Sequence, residues 1–198
     1  MKKVTTILVM ALFTLSNVNA VEPVSNGNLT VNAEKSSIDW KGEKVTGEHT
    51  GTIKIKSGSL MVKEGKLQGG EFIIDMASIE NTDLDGEYKG KLEGHLKSDD
   101  FFGVDKFPEA SLKVTGVKET SKAGVYTVMA DLTIKGITNP ITFTATLLDD
   151  KGTVVANANV VVDRSKFDVR YGSGSFFDNL GDKTIYDEFT LTVNLVTK

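Results

Sequence analysis

His95, Asp99 and Asp100 stand close together in the chain, and an imidazole beside two carboxylates can in principle ligate a metal or move a proton. The spacing argues against both. No second histidine is near, and no recognised ligand pattern appears. His95 reads instead as a helix histidine with its ring tucked against the rest of the fold, followed by an acidic helix end. His49, in Gly47-Glu48-His49-Thr50-Gly51, reads as a residue at the start of a strand rather than a base. The neighbours Asp99–Asp100 and Asp149–Asp150 are pairs of the kind that cap or solvate turns, not pairs that share a proton. Ser173 and Ser175, in Gly172-Ser173-Gly174-Ser175, lack the strand–turn–helix setting of a nucleophile elbow. The same stretch lacks the lysine and following helix of a phosphate loop. The sequence therefore nominates no catalytic residue, no metal site and no cofactor, and binding is expected in place of catalysis.

The stretch around His95 has another use. Gly94 to Pro108 reads GHLKSDDFFGVDKFP. Side chains alternate along a strand, so Phe101 and Phe102 cannot both point inward from one. They suit a turning chain that plugs something apolar. The elements that would present such a hollow follow from the rest of the sequence.

The chain has 198 residues, 39% of them hydrophobic, enough for a single domain with a substantial core. Lys2 and Lys3, the apolar run Val4 to Leu15 and the short residues Val18-Asn19-Ala20 have the form of a signal peptide spanning 1–20 with cleavage near Ala20. The run is too short for a spanning helix, which needs about 20 apolar residues, and no later stretch approaches that length. Residues 21–27 read as a tether and 28–198 as the domain. Absence of cysteine excludes disulfides and a lipid-modified cysteine, and fits a bacterial periplasmic or secreted protein. In that setting the Asn28-Leu29-Thr30 sequon carries no weight. The net charge is −4; without Lys2 and Lys3, 21 basic residues face 27 acidic ones, giving −6. That argues against a nucleic-acid partner, which asks for a basic face, and the interspersed lysines form no polybasic membrane patch.

Period-two alternation dominates the mature chain. Ile38/Trp40, Ile53/Ile55, Phe72/Ile74/Met76, Ala110/Leu112/Val114 and the run from Tyr126 through Val128, Ala130 and Leu132 to Ile134 each share a face. So do Ile141/Phe143/Ala145/Leu147, Ala156/Ala158/Val160/Val162 and Phe189/Leu191/Val193/Leu195. Polar residues occupy the other faces, which predicts half-buried antiparallel strands. Ser57-Gly58, Glu64-Gly65, Ala123-Gly124, Asn139-Pro140 and Asp150-Lys151-Gly152 are the expected turns. About eight such strands imply an all-β barrel or sandwich. One helix interrupts them, with Tyr88, Leu92 and Leu96 as a stripe against the barrel, His95 beside it, and Thr82 or Asp83 as cap. Gly86, Gly90 and Gly94 weaken that helix by about 1 kcal/mol each relative to alanine.

An eight-stranded barrel can be filled by side chains or can hold one small ligand. Alanines 110, 130, 145, 156 and 158 lie on inner faces among Phe72, Phe143 and Phe189, but their levels relative to one another are not legible. The helix and plug favour a hollow over a filled barrel, which has less need of an elaborate insertion at one end.

Three stretches together resemble the YceI-like family of lipid- or polyisoprenoid-binding proteins. Gly94 to Phe102 with Phe107-Pro108 resembles its HLxSxDFFD…P signature, Leu132 to Pro140 its LTIKGVTKPV hairpin, and Asp163-Arg164-Ser165-Lys166-Phe167 its DRxxFG segment. Gly103 stands where an acid is usual, Asp168 where a glycine is usual, and Tyr171 to Asp182 is a variant loop whose cover of the cavity mouth is left open. The resemblance implies an eight-stranded antiparallel lipocalin-like barrel with one inserted helix, exported, holding a long apolar lipid such as a polyisoprenoid, without cofactor, and in some members dimeric. The expected lining is Phe72, Ile74, Leu92, Phe101, Phe102, Tyr126, Val128, Phe143, Ala145, Ala158, Phe189 and Leu191. Lys89, Lys91 and Arg164 are candidates to meet an anionic head, against solvated or loop-pairing roles for each. A different guest (a fatty acid amide or quinone-like metabolite), an enzyme acting on the guest, and a filled partner-binding barrel are the alternatives.

Overall fold

The computed structural model describes residues 27–150 and 153–198, the side chains of 149 and 150 excepted, so the leader and most of the tether lie outside the described residues. The strands are β1 (Gly27–Thr30), β2 (Ser37–Lys44), β3 (Gly47–Lys63), β4 (Lys66–Asn81), β5 (Glu109–Glu119), β6 (Val125–Ile134), β7 (Ile137–Asp150), β8 (Thr153–Asp163) and β9 (Ile185–Val196). The helix α1 (Gly86–Lys97) falls between β4 and β5, and 3-10 turns occupy Arg164–Phe167 and Gly181–Lys183. Every pairing is antiparallel, in the order β3-β2-β9-β8-β7-β6-β5-β4, and β4 returns to β3 to close an eight-stranded barrel. β1 lies against the far half of β3, and Val31 bridges to Thr197.

The long strands bend to close. Register shifts within β3–β4 move the inward positions from Ile53 and Ile55 to Leu60 and Val62, and from Leu67 and Gly69 to Phe72, Ile74 and Met76. Glu64-Gly65 and Lys135-Gly136 form two-residue hairpin turns, with positive φ at all four positions. Gly124 also turns with φ 72°. Asp150 pairs with Thr153, and Lys151-Gly152 lie outside the described residues.

Two expected turns are strand. Gly58 lies within β3 opposite Phe72; a Cβ there would come within 2.5 Å of that ring, and one on Gly70 within 3.1 Å. These glycines cradle an aromatic ring and do not reverse the chain. Asn139-Pro140 lies within β7, paired to β6 but ahead of the β8 pairing that begins at Thr144, so the missing proline N–H disrupts no ladder there.

The helix also differs from expectation. Tyr88 is 72% exposed with the Lys91 ammonium 5.7 Å from its ring centre, and only Leu96 is buried, with Leu92 half-buried against the core. Asp85, not Thr82 or Asp83, is the N-cap, and its side chain makes no capping bond. Asp83 is engaged elsewhere, by the Thr50 N–H at 2.7 Å, by Asn81 and by His49 Nδ1 at 2.8 Å. Burial works to raise the Asp83 pKa, but those three partners together hold it below its ordinary value.

Asn81 joins helix to barrel. Fully buried, it donates to the Thr50 carbonyl and Asp83, accepts from the Leu84 N–H, and its own N–H donates to Glu93 of α1. Asn81→Ala leaves several of these groups unpaired, so chemical denaturation should show a loss of about 1–3 kcal/mol. An unchanged midpoint would mean that the side-chain bonds of Asn81 add nothing to stability, the helix being held by the backbone N–H bond to Glu93 and by Leu92 and Leu96.

Candidate functional site

Inside the barrel lies an apolar hollow in two chambers. The upper, beneath α1 and the plug, has a volume of about 130 Å³ and is lined by Trp40, Ile53, Met76, Ile79, Leu96, Phe101, Phe102, Ala110, Ile134, Ile185, Phe189 and others. The lower, of about 120 Å³, is lined by Ile55, Leu60, Leu67, Phe72, Leu112, Val114, Val128, Ile141, Phe143, Ala145, Ala156, Ala158, Val193 and Leu195 among others. Ile38, Ile74, Leu132 and Leu191 line both and form a waist. A water needs about 10–15 Å³, so each chamber is far larger than a packing fault, and apolar walls offer water few partners. Strand β9 lines the hollow from Ile185 to Leu195, which at about 3.3 Å per residue and a barrel tilt near 40° gives a length of roughly 25 Å.

The small residues create the lower chamber. Ala145 and Ala158 are directly opposite each other on β7 and β8, and Ala156 lies two residues along. Ala110 belongs to the upper chamber, while Ala130 is buried outside both.

The plug is a tight corner. Backbone N–H groups of Phe102, Gly103 and Val104 donate back to the carbonyls of Leu96, Ser98 and Lys97, turning both phenylalanines inward. They are 7% and 8% exposed, meet edge to face with ring centres 5.0 Å apart, and Phe102 meets Phe189 at 6.4 Å. His95 packs its ring against Tyr171 and Phe101, and its Nε2 has no hydrogen-bond partner. Asp99 pairs with Lys106 at 2.7 Å. Among the described residues no three histidine, cysteine, aspartate or glutamate side chains gather where they could hold a metal ion.

Among the described residues Arg164 is the one charged side chain lining either chamber, and it is 2% exposed. Its guanidinium donates to the carbonyls of Val169 (2.8 Å), Ile185 (3.0 Å) and Tyr186 (3.2 Å), lies 3.4 Å from the Asp187 carboxylate, and covers the Phe101 ring at 5.4 Å. Burial lowers its pKa, against the opposing pull of Asp187 and Asp163. Lys89 pairs with Glu80 and Lys91 with Glu87 on the surface, away from the hollow. The loop from Tyr171 to Asp182 lies over the outside of the plug corner, where Tyr171, Phe177 and Leu180 share a polar groove with Asp99, Asp100, Lys135, Arg170 and Lys183.

Of the residues expected to line the hollow, Phe72, Ile74, Phe101, Phe102, Val128, Phe143, Ala145, Ala158, Phe189 and Leu191 do so. Leu92 and Tyr126 do not. Leu92 packs half-buried against the core from α1, and Tyr126 is buried in the core but borders neither chamber. Trp40 was absent from the expected lining, although its alternation with Ile38 already placed it on an inner face. Its ring lies over Gly51, where a Cβ would come within 2.4 Å of it, and Nε1 donates to the Thr52 carbonyl.

A closed antiparallel barrel with an inserted helix around an elongated apolar hollow defines a lipocalin-like fold. The chain belongs to the YceI-like domain family, whose profile matches residues 29–197. Among curated relatives, a UPF0312 protein of Pseudomonas putida (strain W619) is 31% identical over 110 residues, 55% of each chain, and one of Staphylococcus aureus (strain N315) is 47% identical over 51 residues, 26% of each. The match thus spans from about a quarter to about half of these relatives' length. Solved structures share the fold. BcnA of Burkholderia cenocepacia superposes with a TM-score of 0.71 at 20% identity, covering 85% of this chain and 99% of that one. A polyisoprenoid binding domain from Saccharophagus degradans gives 0.66 at 14% identity, covering 88% and 99%.

Proposed function

We propose that the protein binds one long amphiphile of the polyisoprenoid class along both chambers, and that it does so as an exported carrier or store after loss of residues 1–20. The two apolar chambers set end to end and sharing four wall residues are the observation that carries this reading, because together they suit a slender flexible tail. Apolar burial drives binding, at about 25 cal/mol for each Å² removed from water. The family and the polyisoprenoid-binding relative of the same fold support it.

A second reading concerns the head. Arg164 already serves three carbonyls and Asp187, so the hollow offers no uncommitted cation to a phosphate. That favours an uncharged head, as in a quinone or amide, or a charged head lying outside the wall. Nothing in the site supports bond-making chemistry, and the reading is of a binding protein.

Native mass spectrometry of protein isolated from its own cells, followed by organic extraction, tests this directly. The expected result is a single bound lipid that extraction releases, with its mass identifying the head. Protein that comes out empty and takes up no isoprenoid chain in vitro would sink the proposal.

A further inference from the structure

We infer that the guest enters and leaves sideways, through a gap in the barrel wall between β2 and β9 at Gly42 and Tyr186, and not past the phenylalanine plug. This rests on the lipid-binding reading of the hollow. Exposure around the upper chamber is unequal. On the plug side Leu96, Phe101, Phe102 and Ile134 are all buried. Across the chamber Gly42 and Ile185 are half-buried and Tyr186 is 51% exposed, although all three line the same hollow. Residues that line a cavity and also meet solvent mark its mouth.

The register explains why the wall parts there. Gly42 lies opposite Phe189 and Lys44 opposite Ile185, so the single residue Glu43 faces Tyr186, Asp187 and Glu188. The two surplus residues of β9 interrupt the ladder with β2. Arg164 holds the carbonyls of Ile185 and Tyr186, giving the displaced segment partners that β2 does not supply. It therefore props the gap from inside. An apolar tail passes this opening into the upper chamber and through the waist, while a polar head stops at the wall beside the Tyr186 hydroxyl and the peptide groups of the interrupted seam.

Gly42 makes the gap testable. A Cβ added there meets nothing within 4 Å, and its φ lies outside the left-handed region, so a side chain can be started there without backbone strain. The probe is a geranylgeranyl chain carrying an uncharged nitrobenzoxadiazole fluorophore, loaded onto the full mature chain, with release followed by transfer to phosphatidylcholine vesicles. Gly42→Phe should slow release by about tenfold or more at an unchanged thermal midpoint, because such changes act mainly through the dissociation rate. Tyr186→Ala, at an exposed position that does not hold the core together, should speed it and supplies an independent arm. Release rates within about twofold of the parent in both variants, with the probe still bound at equilibrium, overturn the lateral route and leave the lipid reading intact. If the parent chain takes up no probe at all, both fall together.

Discussion

Arg164→Met should destabilise the protein by about 3–5 kcal/mol, measured as the shift in urea unfolding of the mature chain. The guanidinium is buried and its N–H groups reach three carbonyls contributed by separate segments, Val169 on one side and Ile185 and Tyr186 on the other. Truncation strands those acceptors in an apolar corner, each at a cost of about 1–3 kcal/mol if no water replaces the donor. It also removes the only counter-charge within 4 Å of Asp187 among the described residues; the Asp187 Oδ1 is buried with no hydrogen-bond partner and its other oxygen accepts from Ser175. Arg164→Lys should recover little, since an ammonium cannot span the three carbonyls in one plane. A loss below about 1 kcal/mol in Arg164→Met would show that the loop holds its shape without the arginine.

Filling the lower chamber should abolish long-chain binding while leaving the fold intact. Ala145 and Ala158 are a directly opposed pair, so Ala145→Phe with Ala158→Phe places two rings at one level beneath the waist. If about 100 Å² of tail is kept out of the chamber, the lost burial is about 2.5 kcal/mol, roughly a hundredfold in affinity. A short-chain guest that needs only the upper chamber should bind almost as before. The readout is the ratio of affinities for a long and a short isoprenoid with the same head. Equal losses for both would place the tail elsewhere. Stability should change little or rise, because the new rings occupy space that is already open.

Much of this was readable from residue order, for a physical reason. A barrel wall faces water on one side and an apolar interior on the other, so every strand has to alternate, and the run from Tyr126 to Ile134 states its inner face without outside help. The plug was readable because two adjacent phenylalanines are incompatible with a strand. The misreadings occur where a residue serves a distant neighbour. Gly58 makes room for Phe72 on the adjoining strand, and a glycine that gives way to a ring looks the same in sequence as one that turns the chain. Asp83 failed as a helix cap because His49, Thr50 and Asn81 claim it first. The levels of the alanines depend on register, which shifts of pairing within β3–β4, β5–β6 and β2–β9 alter in ways that alternation alone does not reveal. Asp168, in place of the family's usual glycine, is accommodated because aspartate tolerates the left-handed conformation that it adopts, φ 58° and ψ 31°.

The pairing of β2 with β9, and of Val31 with Thr197, also sets an order of events in time. These are contacts between opposite ends of the domain, while most other neighbours in the barrel are joined by short hairpins that can form locally. Loop-closure entropy makes the distant pairing the slow one, so the sheet assembles as an open ribbon and becomes a tube only when its final strand docks. A nascent chain that has not yet emitted residues 185–196 has no closed form to reach, and remains pliable until it has. The strand that completes the tube is also the one that borders the gap at Tyr186, so the last seam to be sewn keeps a break within it.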